Sequence, residues 1–209
     1  EVTDLNEIDE AIGGQDILNI DDWIIIKPGY AIGSYLGYEV DGIVQQGEQN
    51  VAGFAGEILE PGDRKYKDLN GDGIINRSDK SVLGNPIPSA VLAMVNTFSY
   101  KRFDISIFVY SKLGHELANF NKFLLESLDG KTNNLTDDYN NRWNSSNPSN
   151  IFPAISAKEK PIVLSESQIE KGNFLRLQNV TIGYTFSPAA IKKFGLYALK
   201  LFVRGQNLL

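Results

Sequence analysis

The sequence predicts a mainly β fold of antiparallel strands of the transmembrane-barrel type, joined by long polar loops, one of which has the form of a calcium loop. Three observations predict it. Two eleven-residue runs, 90–100 (AVLAMVNTFSY) and 103–113 (FDISIFVYSKL), flank Lys101-Arg102, which is the spacing of a tight hairpin. The 209-residue chain is 42% hydrophobic but has no apolar run of about eighteen residues, so alternating strands, not a spanning helix, can carry that apolar content in a membrane. Short connections alternate with one very long one at 114–172, as in outer-membrane barrels with short inner turns and longer outer loops.

The chain divides by charge. Residues 1–89 carry a net −11 and residues 90–209 a net +5 within the overall −6, which places a first boundary near residue 89. The acidic half excludes a nucleic-acid footprint, and the basic pairs of the second half, Lys101-Arg102 and Lys192-Lys193, sit at turns and form no stripe. Without cysteine there are no disulfides, thiolate metal sites or cysteine nucleophiles. The only histidine, His115, follows Gly114 at a strand end with no nucleophile beside it, so it reads as a loop residue. The chain begins at Glu1 without an initiator Met and stops at Leu209 inside an apolar run, so both ends are expected to be cut.

Residues 1–22 are acidic and broken by Gly13-Gly14, which predicts loop with at most a short strand. Trp23-Ile24-Ile25-Ile26 is a short apolar run closed by the turn signal Lys27-Pro28-Gly29. The Gly- and aromatic-rich stretch 30–43 predicts extended backbone packed closely against a neighbour, and 44–67 reads as polar and irregular. In 103–113, Phe103, Ile105, Ile107 and Val109 share one face, with Asp104, Ser106, Phe108 and Tyr110 on the other. Each run matches the roughly 9–11 residues that a tilted spanning strand needs. The 114–172 connection holds seven Asn between 133 and 150 and a possible short helix near 119–128. Residues 174–186 (FLRLQNVTIGYTF) and 198–206 (ALKLFVRGQ) read as two more strands, separated by a capped helical turn after Ser187-Pro188.

Residues 68–79 (DLNGDGIINRSD) fit a twelve-position calcium loop. Asp68, Asn70, Asp72, Asn76 and Asp79 supply side-chain oxygens at positions 1, 3, 5, 9 and 12, Ile74 a carbonyl at position 7, and Gly73 the sharp turn. A hard cation needs several oxygens converging from one short segment, and this spacing provides them. The last position is Asp where the longer Glu closes bidentately in other such loops, so affinity is expected to be modest and the role structural. A metal-free Asn-Gly and Asp-Gly turn is the plainer alternative. Carboxylate pairs such as Asp137-Asp138 lie in polar sequence and read as solvated acids.

These residues carry a resemblance. The ordered segments GYAIGSYLGYEVDGIVQ (29–45), PGDRKYKDLNGDGIINRSDKSVLGNPIP (61–88), YKRFDIS (100–106), RW (142–143) and GNFLRLQNVTIGYTFS through LKLFVRGQNLL (172–209) resemble the C-terminal part of SusC/RagA-type TonB-dependent outer-membrane receptors. The resemblance is weak between 107 and 171 apart from Arg142-Trp143. It implies a large barrel in the Gram-negative outer membrane with an N-terminal plug, energised by TonB with ExbB and ExbD. It also implies a SusD-like surface lipoprotein as lid, and import of oligosaccharides or peptides, with no enzymatic activity. The chain supplies four strands where the plugged transporters have about 22. In that arrangement the turns at Lys101-Arg102 and 187–197 lie on the periplasmic side, with the 114–172 connection and the acidic loop outside. Asp104, Ser106, Lys200, Arg204 and Gln206 face the lumen, and Ile105, Ile107, Val109, Leu199, Leu201 and Val203 face lipid. Tyr38, Tyr139 and Trp143 are the residues expected to stack on substrate.

A rival reading is a soluble, secreted, calcium-stabilised β-sandwich that serves as a binding or adhesin module. It requires a second sheet to cover Ile105, Ile107 and Val109. A glycoside-processing enzyme would need two carboxylates within about 5–10 Å in a cleft, and nothing in the sequence favours it.

Overall fold

A computed structural model describes residues 17–19, 23–27, 29–125, 139–155 and 161–208. Asp137-Asp138, residues 126–128 of the expected helix and most of 1–22 lie outside the described residues. In chain order the elements are β1 (Ile17–Asn19), β2 (Ile24–Ile26), β3 (Ser34–Tyr38), β4 (Val40–Ile43), β5 (Arg64–Tyr66) and β6 (Lys80–Gly84). They continue with β7 (Ala90–Tyr100), β8 (Phe103–Leu113), β9 (Glu116–Ala118), α1 (Asn121–Leu125), β10 (Ile169–Lys171), β11 (Phe174–Thr185), α2 (Pro188–Ile191) and β12 (Lys200–Gln206). They fall into two units, Glu1–Ile87 with Glu116–Lys171, and Pro88–His115 with Gly172–Leu209.

The first unit takes in most of the segment that the sequence reading assigned to a long outer loop of the strand half. The physical reason is pairing: β9 and β10 form an antiparallel ladder across that segment. Two further sheets, β1-β2-β3-β6 and β4-β5, complete the unit. The close backbone approach that the glycines require is at Gly37 in β3, where a Cβ would stand 2.4 Å from the Leu164 carbonyl oxygen. Tyr38 N donates to that same carbonyl at 2.9 Å, so a glycine is what lets the two backbones meet. Ile25, Ile43, Val44, Ile75 and Leu164 are among the buried aliphatic residues of this unit. The stretch read as irregular, 44–67, contains β5, whose three residues pair with β4 across a bulge at Val40/Gly42.

The second unit is one antiparallel sheet in the order β12-β11-β8-β7. The β7–β8 ladder runs unbroken from Ala90↔Leu113 to Tyr100↔Phe103, closed by a two-residue turn in which Lys101 is left-handed at φ 56°. β11 pairs with both β8 and β12, with one irregularity between Leu177 and Asn179. β12 begins at Lys200, two residues later than the sequence suggests, although one more bond of the same register, Phe186 N to Leu199 O at 2.9 Å, stands at the entrance to the connection.

Candidate functional site

The register of the second unit sorts its side chains onto two faces of different chemistry. Phe103, Ile105, Ile107 and Val109 of β8 lie beside Tyr184, Ile182, Val180 and Leu177 of β11. Leu201 and Val203 of β12 extend this face past β11, and Phe98 and Met94 of β7 extend it on the other side. It is uncovered: Ile182 is 48% exposed, Leu201 57% and Val203 76%. Among the described residues of this unit there is one sheet, whereas the sandwich reading requires a second sheet over Ile105, Ile107 and Val109. At the turn end it carries rings, with Phe103 4.8 Å from Tyr184 and Tyr184 4.9 Å from Phe186. Rings at the end of an apolar band match the interfacial girdle of a spanning barrel.

The opposite face is polar. Lys200 Nζ donates to Asp104 Oδ2 at 2.6 Å, Ser99 Oγ donates to Asp104 Oδ1 at 3.1 Å, and Arg204 Nε donates to Thr181 Oγ1 at 3.2 Å. Gly183, between Asp104 and Phe202 in the register, makes the ion pair possible: a Cβ there would meet Lys200 Cε at 2.8 Å. Thr97, Ser106 and Phe202 join these residues around a shallow hollow of about 460 Å³. An ion pair this exposed is largely screened by water, so it sets charge and wetting more than stability.

The acidic loop stands in the first unit. Ile75 at position 8 is 1% exposed; its N–H donates to Gly53 O at 3.0 Å, and the residue bridges Phe54. Phe54 in turn packs with Tyr38 and Tyr66, the ring centroids lying 5.1 to 5.7 Å apart. The loop's oxygens turn inward on its own backbone. Asp68 Oδ1 accepts from Gly71 N at 2.7 Å and Asp72 N at 3.2 Å, and Asp68 Oδ2 accepts from Gly73 N at 2.7 Å. Asp72 Oδ1 accepts from Ile74 N at 2.9 Å, while Asp72 Oδ2 accepts from the Asn70 and Asn76 amides. The Ile74 N–H, aided by Asn70 and Asn76, holds the Asp72 carboxyl below its ordinary value.

Asp79, the last of the expected ligands, is likewise bonded to the loop's backbone. It is fully buried, with Oδ1 accepting from Leu69 N at 2.9 Å and Asn70 N at 3.4 Å, and Oδ2 accepting from Asn76 N at 2.8 Å. Asp79 therefore ties the two ends of the loop together, and the Asp68, Asp72 and Asp79 carboxylates do not converge as a group. Among the described residues no cluster of three or more His, Asp or Glu side chains is placed to hold a metal.

The three residues expected to stack on substrate are not brought together as one surface. Tyr38 is 5% exposed inside the aromatic cluster, with the Lys80 ammonium 5.7 Å from its ring, so it is a packing residue and not a surface platform. Trp143 is half-buried; Nε1 donates to Gln45 Oε1 at 3.0 Å, and its six-membered ring lies 2.8 Å from where a Gly62 Cβ would be. These contacts fasten 142–154 to the β4–β5 region. Tyr139 alone keeps an open side, at 47% exposure, with the Arg142 guanidinium 4.2 Å over its ring.

No protein-family model matches the chain. The TonB-dependent receptor P3 of Formosa agariphila is 34% identical over 88% of the chain, and the TonB-dependent receptor SusC of Bacteroides thetaiotaomicron is 28% identical over 77%. The RagAB peptide transporter superimposes over 93% of the chain with a TM-score of 0.70 at 15% identity, which establishes the fold. The chain belongs to the TonB-dependent receptors of the SusC/RagA type. It spans 18% of the length of P3, 14% of SusC and 21% of the matched RagAB chain.

For a TonB-dependent receptor segment, the two-faced sheet is a piece of barrel wall. The alternation of β8 was legible in sequence, but Gly183 and Ser99 were missed. Their signal is their position across from a lone carboxylate, visible only once the register is known.

Proposed function

We propose that this chain is part of the barrel of an outer-membrane receptor that imports oligosaccharides or peptides without chemically altering them. TonB, ExbB and ExbD would energise import, and a SusD-like lipoprotein would act at the outer surface. The carrying observation is the second unit's sheet, whose uncovered Ile, Val and Leu face suits lipid and whose ion-paired face suits a wet lumen. The kinship with TonB-dependent receptors supports import as the role, and the choice between oligosaccharide and peptide rests on the uptake experiment. Polar outer loops are the natural source of substrate contacts, with Tyr139 the aromatic whose ring stands open.

The test is fractionation of cells carrying the full receptor, followed by uptake in a deletion strain. Detergent-dependent recovery from the outer membrane, with loss of uptake for one class of oligosaccharide or peptide, is expected. Recovery in the soluble fraction would overturn the reading. Co-purification of a SusD-like lipoprotein tests the partner.

We also propose that the 68–79 loop takes calcium through Asp68, Asn70, Asp72, the Ile74 carbonyl and Asn76, with the buried Asp79 holding the loop ends in register. Calcium would add a shared centre for oxygens that otherwise bond only to the loop's own N–H groups. A receptor whose melting temperature is the same with calcium and with chelator, or whose calcium response survives Asp72→Ala, would refute this.

A further inference from the structure

The turn end of the second unit concentrates cations beside exposed rings. Lys101 occupies a left-handed position at φ 56°, where Asn or Gly is the strain-free choice. Its ammonium sits 5.1 Å from the centroid of Tyr100, a ring that is 70% exposed. Arg102, next in the turn, accepts Thr185 N at 2.9 Å through its carbonyl, which fastens the hairpin tip to the end of β11, just before the β11–β12 connection. In that connection Ser187 caps α2, and Ile191, 2% exposed, anchors it. The following turn therefore presents Lys192, Lys193 and Phe194 to the outside, Phe194 at 78% exposure and Tyr197 at 96%. From 186 to 199 there is no Asp or Glu, and the nearby Asp104 is taken up by Lys200. Lys101, Arg102, Asp104 and residues 185–188 line a shallow hollow of about 340 Å³.

Resting on the barrel reading, we infer that this turn end is a headgroup site for anionic glycerophospholipids. Exposed Phe and Tyr belong at the boundary between acyl chains and water, where a ring's apolar body is covered and its rim stays wet. At that depth Lys101, Arg102, Lys192 and Lys193 stand at the level of the phosphodiesters. Because the 186–199 connection has no Asp or Glu and Asp104, the acid nearest the Lys101-Arg102 turn, is paired with Lys200, the surface carries excess positive charge among the described residues and discriminates by headgroup charge. A neutral zwitterionic lipid satisfies the rings equally well but leaves the cations with no net attraction. A cation near an anionic surface is worth about fivefold in association at low salt, so the cluster predicts selection well above that of a plain aromatic girdle.

The experiment reconstitutes the full receptor into bilayers of equal phosphatidylglycerol and phosphatidylcholine, extracts it gently into detergent, and measures the ratio of retained lipids. The receptor should enrich phosphatidylglycerol at least about fivefold. Lys101→Gln, Arg102→Gln, Lys192→Gln and Lys193→Gln combined should bring the ratio near one, while the charge-keeping set Lys101→Arg, Arg102→Lys, Lys192→Arg and Lys193→Arg should preserve it. Equal retention of both lipids by the unmodified receptor, or undiminished enrichment in the Gln variant, overturns the headgroup site and leaves the barrel reading standing. A receptor that does not enter bilayers overturns both.

Discussion

Replacing Asp79 isolates what holds the acidic loop in shape. Its carboxylate accepts two short hydrogen bonds, from Leu69 N at 2.9 Å and Asn76 N at 2.8 Å, and a long one from Asn70 N at 3.4 Å. Hydrogen bonds to a charged group contribute about 1.5–3 kcal/mol each, so the two short ones set a range of about 3–6 kcal/mol. Water can reach parts of the freed backbone, since Leu69 is 48% exposed and Asn70 is exposed as well, which favours the lower end. Asp79→Ala should then cost about 3 kcal/mol locally, or roughly 150-fold in the opening equilibrium. Asp79→Asn keeps one acceptor oxygen but turns an NH₂ toward a second donor, so about half that loss is expected. Hydrogen exchange of the peptide spanning 68–79, followed in the full receptor with chelator present, reads this directly. Protection in Asp79→Ala within threefold of the unmodified receptor would show that the carboxylate is not the clasp described here.

Three other outcomes follow from the same geometry. Ile107→Lys should destabilise the membrane-inserted receptor by about 2–4 kcal/mol while Ser106→Lys, on the opposite face, changes it little; equal effects in a denaturant titration in lipid would contradict the assignment of faces. Gly37→Ala drives a Cβ to 2.4 Å from the Leu164 carbonyl and should cost about 3 kcal/mol, seen as exchange at the Tyr38 amide accelerated roughly 150-fold. Because the Ile74 N–H holds the Asp72 carboxyl below its ordinary value of 3.8, its contribution to the loop is complete above that pH and disappears as pH falls through the lower folded value. Pepsin cleavage within 68–79, normalised to an unstructured peptide, should therefore begin only below about 3.8, and an onset above it would be inconsistent with the bonding seen.

What could be read from sequence was what is encoded locally. Period-two alternation in β8 and the two-residue turn after Tyr100 require only neighbours in the chain, and the twelve-position spacing of the acidic loop is equally local. The remainder depended on distant partners. β5 is three residues, Arg64-Lys65-Tyr66, with no alternation of its own, and becomes a strand because β4 offers it a ladder. Tyr38 looks like a surface aromatic in a glycine-rich run, yet it is enclosed by Phe54 and Tyr66. Trp143 bonds to Gln45, 98 positions away, so its fastening role has no local signature. Asp79 reads as the last ligand of the loop by spacing, and only its burial reveals the clasp.

The irregularity in β11 has a further consequence. Leu175 and Leu177 lie on the apolar face at odd positions, whereas Val180, Ile182 and Tyr184 lie on the same face at even ones. Gln178, the residue between the two registers, is a phase shifter: it lets one strand change parity without changing sides. Its carbonyl accepts Asn207 N at 3.1 Å, so the extra residue is bonded to the segment that follows β12. Deleting Gln178 would set Leu177 and Asn179 opposite Val109 and Phe108 in a regular ladder and keep both halves on their sides. Were the strand instead to pair in one unbroken register with that residue in line, half of it would present the wrong chemistry, placing Phe174 and Arg176 on the apolar face or Thr181 and Gly183 in place of Val180 and Ile182. The wall's sidedness thus hangs on a count of residues as much as on their kinds.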